Sequence, residues 1–149
     1  MAGVGGGVTQ GKRSETIARF ADAYGCLAVV LNSAVDADTV QAVYDAIDIP
    51  IIYTVISNHM EIDEHIKAGV SILNISGGKH TTDIVREYRE RYPNIPIIAT
   101  GGKKDEHILE TIEAGANGIS YTPPTTQEVF QTNMEKYRED LREETNEEN

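Results

Sequence analysis

Gly101-Gly102-Lys103-Lys104 follows an apolar run that ends at Thr100. Glycines let a backbone approach an oxyanion closely, the amides opening the next helix point at it, and lysine adds a point charge. Ser76-Gly77-Gly78-Lys79-His80-Thr81-Thr82 repeats this arrangement one structural unit earlier. The two turns lie side by side if their strands are neighbours, and the pair predicts a seat for a small phosphate or carboxylate. The plainer alternative is two tight turns with solvated lysines. His80 is the candidate proton carrier, with His59 as the second, although helix starts often hold an exposed histidine that does no chemistry.

Thr122-Pro123-Pro124-Thr125 forms a third turn. Its prolines remove two amides, and the hydroxyls of Thr125 and Thr126, with the helix N-terminus behind them, are the substitutes. Thr125 with Glu128 reads equally well as a helix capping box. Asn74 stands between Leu73 and Ile75 inside an apolar run, where a polar side chain points into a site or bonds a neighbouring loop. The candidate ligand contacts are therefore Asn74, Ser76, Gly77, Gly78, Lys79, Thr100, Gly101, Gly102, Lys103, Thr122 and Thr125. His59, His65 and His107 lack metal-ligand spacing with acidic partners, so neither metal nor cofactor is expected. Gly6-x-x-x-x-Gly11-Lys12 comes close to a phosphate-binding P-loop. Arg13 replaces the required Ser or Thr and no strand is expected before it, so that reading is rejected.

These turns need a scaffold, and the chain has a repetitive one. Short apolar runs at 27–31, 51–56, 71–75, 97–100 and 118–121 each precede a polar turn and a helical pattern. Helices are expected near 14–24, 36–47, 60–68, 81–92, 105–114 and 126–143, with Thr81 or Thr82 capping the fourth. Gly25, Gly69 and Gly115 close helices before the first, third and fifth strands; Pro50 and Pro96 set the way into the second and fourth. Near-continuous apolar strands predict a parallel sheet covered on both faces. The fold class is α/β, a five-stranded parallel βα repeat that is part of a TIM-like barrel, with an open doubly wound sheet as the alternative. A complete eight-stranded barrel needs roughly 200 residues or more, and the chain has 149. One domain over 1–143 and an acidic disordered tail over 144–149 are expected.

A net charge of −11 disfavours nucleic acid, whose phosphates require a clustered basic surface. The single cysteine, Cys26, makes no internal disulfide, there is no apolar run of membrane-span length, and the start lacks an apolar leader segment. A cytoplasmic protein without membrane contact is expected.

AGVSILNISGG, IPIIATGG and AGANGISYTPP, in that order, resemble the C-terminal part of phosphate-binding TIM barrels. The resemblance implies a phosphate cradle at the Gly-Gly turns and a barrel-type lyase, isomerase or hydrolase acting on a small anionic metabolite. It further implies that the N-terminal glycine turn follows a missing third strand. Family catalytic residues do not carry over: no strand holds a Schiff-base lysine, and no strand ends in an acid. A metabolite-responsive regulator, or a truncated barrel serving as an oligomerisation unit, fits the same pattern. Open sheet edges imply a homo-oligomer, a dimer that covers them.

Overall fold

In the computed structural model, residues 2–3, 11–32, 35–100, 105–121 and 125–147 are described. β1 (Ala2–Gly3) leads to α1 (Lys12–Ala23), β2 (Val29–Leu31), α2 (Ala37–Tyr44), β3 (Ile51–Val55), α3 (Asp63–Lys67) and β4 (Val70–Ile75). A 3-10 turn (Gly78–His80) then feeds α4 (Thr81–Arg91), followed by β5 (Ile97–Thr100), α5 (Asp105–Glu113), β6 (Gly118–Ser120) and α6 (Thr126–Glu147).

Every strand pairs in parallel with its sequence neighbour, in the order β1-β2-β3-β4-β5-β6. A doubly wound sheet reverses its order at a switch point, so the doubly wound alternative is excluded and the sheet is an open part of a TIM-type barrel. β1 is a sixth strand that the apolar pattern does not reveal. Its two residues pair through backbone alone, Ala2 beside Val29 and Gly3 beside Val30. α6 also continues past residue 143 to Glu147.

Burial alternates along β2, β5 and most of β4, whereas all five residues of the central β3 are buried. Val29, Leu31, Tyr53, Val55, Leu73, Ile75, Ile97 and Ala99 are buried, in one cluster with Ala18, Val40, Val43, Ile84 and Val85 of the helices. With right-handed crossovers, sequential strand order places the helices that connect the strands on that one face. The opposite, concave face carries Ile52 and Thr54 of β3, which are buried, and Val30, Ile72, Asn74, Ile98 and Thr100, which are half-buried. Helices cover the outer face of this barrel wall, as the partial-barrel expectation requires, and helices on both faces would belong to the doubly wound alternative.

Arg89 of α4 locks the way into the last two strands. Its Nε and Nη2 donate to the Gly115 carbonyl at 3.0 and 2.8 Å, and Nη1 donates to those of Pro93 and Ile95 at 2.9 and 2.8 Å. Nη2 also donates to Asn117 Oδ1 at 2.7 Å, and the same oxygen accepts from the Ile97 amide at 2.9 Å. Gly115 has φ 115° there, and a Cβ on it would stand 2.7 Å from Arg89 Cγ, so both conformation and space require glycine.

Candidate functional site

At the carboxyl ends of three adjacent strands, the concave face carries a hydrogen-bonded polar row. Asn74 lies in register with Thr54 and donates from Nδ2 to Thr54 Oγ1 at 3.2 Å. Thr100 Oγ1 donates to Asn74 Oδ1 at 2.7 Å. Thr54 is buried, while Asn74 and Thr100 are half-buried. An amide carries two donors and two acceptor sites, so each end of Asn74 keeps one valence beyond these two bonds. Asn74 and Thr100 are thereby brought together, with Thr54 as a member that its apolar surroundings in the sequence do not signal.

The first glycine turn is more self-contained than its composition predicts. Thr81 Oγ1 accepts from the Gly77 amide at 3.0 Å and donates to the Gly78 carbonyl at 2.8 Å. Ser76 N donates to Val55 O at 2.8 Å and His80 N to Gly77 O at 3.1 Å. The Gly78 and Lys79 amides of this turn lie outside those bonds, and Lys79 itself is exposed. Neither Thr81 nor Thr82 is the cap of α4. The cap position is His80, without a side-chain bond, because the 3-10 turn lets the chain enter the helix directly. Thr82 instead shares a hydroxyl hydrogen bond with Thr111 of α5 at 2.8 Å.

Beside this turn opens a cavity of about 360 Å³ between the β3–α3 loop and α4. His80, Asp83, Glu87, Ser57 and Asn58 line it above Ile84. The acids come from α4, three and seven residues after His80, which places all three on one helical face. That spacing is the sequence signal for them, since they stand on a helix and not at a strand end. His59 is exposed and is not among the lining residues. The back wall is fastened by Tyr88, whose hydroxyl donates to the carbonyls of Met60 at 2.6 Å and Ser57 at 3.2 Å. Burial pushes the Tyr88 phenol up to about 12, keeping it a neutral donor.

Thr125 is exposed and closes a capping box. It donates from N and Oγ1 to Glu128 Oε2 at 2.8 and 3.0 Å, and accepts from the Glu128 amide at 3.2 Å. Gly101, Gly102, Lys103 and Thr122 lie outside the described residues. A strand does precede the Gly6–Lys12 segment, so one ground for setting aside a P-loop falls, while Arg13 in the Ser/Thr position still stands against it. Among the described residues no helix is long and apolar enough to cross a membrane.

The fold and the polar row at the carboxyl edge define the class: an open part of a TIM-type barrel. No family model matches the chain. Mandelate oxidase solved with benzoyl-formic acid superposes with a TM-score of 0.61 at 16% identity, covering 74% of this chain and 45% of that one. A structure assigned as a deoxyribose-phosphate aldolase from Coccidioides immitis gives a TM-score of 0.63 at 13% identity, covering 80% and 57%. In sequence, 66 residues are 38% identical to inosine-5'-monophosphate dehydrogenase of Haemophilus influenzae, 42% of this chain and 14% of that protein. The chain thus spans about half the length of these barrel structures and a small part of the dehydrogenase.

Proposed function

We propose that the carboxyl edge of the sheet binds a small phosphorylated or carboxylated metabolite. The observation that carries this is the Thr54–Asn74–Thr100 row, which holds an amide with spare donor and acceptor capacity at the mouth of a parallel sheet. In parallel α/β folds that edge is where ligands sit. The anion rests against the Gly78 and Lys79 amides, away from Asp83 and Glu87, whose charges repel it, and Gly101, Gly102 and Lys103 follow Thr100 in sequence as further contacts. The neighbours support the ligand class: mandelate oxidase was solved with a carboxylate, and the aldolase is named for a sugar phosphate.

The chain then belongs to a barrel-type enzyme of the lyase, isomerase or hydrolase kind. His80 carries the proton, and Asp83 or Glu87 orients it or hydrogen-bonds ligand hydroxyls. A thermal-shift screen of sugar phosphates and short carboxylates tests the reading. Ligand at 100 times its dissociation constant stabilises by about 2.7 kcal/mol, and Asn74→Ala should remove that shift while leaving the ligand-free transition in place. An Asn74→Ala protein that still responds, or a screen in which no anion stabilises the native chain, overturns it.

A further inference from the structure

The first and last helices each present an apolar stripe left exposed among the described residues. On α1, Ser14, Ala18 and Ala21 face the core. Ile17, Phe20 and Tyr24, spaced by three and four residues, form a second stripe that is 37%, 59% and 84% exposed. On α6, Phe130, Met134 and Tyr137 are spaced by four and three, and Leu141 continues the pattern in sequence. Phe130 and Tyr137 are 65% and 60% exposed; of the described α6 side chains only Met134 is partly covered. Spacings of three and four repeat the same helical face and make a seam for another helix. α4, in the middle of the sheet, exposes no large apolar side chain, and α2 and α5 expose Tyr44, Leu109 and Ile112; the two aromatic stripes stand on the flanks, the first and last helices, and among the described strands β1 and β6 each pair on one side only.

We infer that these flanks are the two halves of an interface with a second copy of this chain, α1 of each copy packing on α6 of the other. Charge selects this pairing over like with like. α1 has three basic and two acidic residues, whereas α6 has seven acidic and three basic ones. α6 against α6 therefore repels, and α6 against α1 attracts. A two-fold axis satisfies both contacts at once, since each stripe meets the other's complement. Area is sufficient: a buried aromatic contributes about 150–250 Å², and each of the four rings is at least 59% exposed and counts twice in the dimer. Together they supply most of the roughly 1,200 Å² at which stable interfaces begin.

Light scattering after size-exclusion chromatography tests the inference, with Phe20→Glu/Tyr24→Glu and Phe130→Glu/Tyr137→Glu as the two variants. The native chain should have twice the chain mass. Each variant should be a monomer with an unchanged circular dichroism spectrum, because the substituted residues are exposed. A native monomer overturns the inference and leaves further βα units from another polypeptide as the cover for the flanks. A native species larger than a dimer overturns the two-fold closure, and an α1 variant that remains dimeric overturns the α1-on-α6 pairing.

Discussion

Replacing Arg89 by methionine keeps most of the aliphatic stem and removes all the donors. The guanidinium donates five bonds of 2.7 to 3.0 Å, to the carbonyls of Pro93, Ile95 and Gly115 and to Asn117 Oδ1. A hydrogen bond to a charged group contributes about 1.5–3 kcal/mol, yet bonds that share one side chain do not add fully. Arg89 is half-buried, so water re-solvates part of what is left. The expected loss is about 3–5 kcal/mol, the range for removing one partner of a buried charged network. Against a typical total of 5–15 kcal/mol, that is large. In urea, with a slope near 2 kcal/mol/M, the midpoint should fall by about 1.5–2.5 M without a change in slope. Arg89→Lys should recover less than half, because one ammonium cannot reach acceptors spread around a planar fork. A loss below about 1 kcal/mol for Arg89→Met, or full recovery with lysine, would refute the view that this network holds the last two strands.

Tyr88→Phe removes a phenol that donates to Ser57 and Met60 carbonyls, and should cost about 1–2 kcal/mol while raising hydrogen exchange in the loop at 57–60. Tyr88 and Tyr92 should ionise near 12 in an absorbance titration: burial raises both, and Tyr92 also donates to Asp63 at 2.6 Å. Because their folded values lie above the ordinary 10.0, the stability they contribute is full below pH 10 and is lost as pH rises towards 12. Tyrosinate absorbance complete by pH 10 would contradict this. Asp36→Ala should cost about 1 kcal/mol at neutral pH by uncapping α2, where the carboxylate accepts from the Thr39 amide at 2.8 Å. The bonds from Thr39 hold Asp36 below its ordinary 3.8, so that contribution is full above pH 3.8 and disappears as pH falls through the lowered value. An equal cost in strong acid would show that charge is not the cause.

Local physics made much of this protein legible in its residues. The βα repeat follows from apolar runs and from the glycines and prolines that close its helices. The Thr125–Glu128 box follows from spacing alone, and Asn74 and Thr100 stand out as polar groups in or ending apolar strands. Those features depend on neighbours within a few residues in sequence. Tertiary structure decided what depends on distant partners. The same βα units suit a barrel wall or a doubly wound sheet until strands choose neighbours, and the sequential pairing of six strands settles that choice. Two residues, Ala2 and Gly3, become a strand only because Val29 and Val30 are there to pair with. Thr54 enters the polar row through its register with Asn74, and Thr81 ties up the Gly77 amide that composition alone leaves free. The cavity joins His80, Asp83 and Glu87 to Ser57 and Asn58 because Tyr88 fastens one loop to a helix that begins more than twenty residues later. Sequence placed the polar groups; packing decided which of them still have bonds to offer.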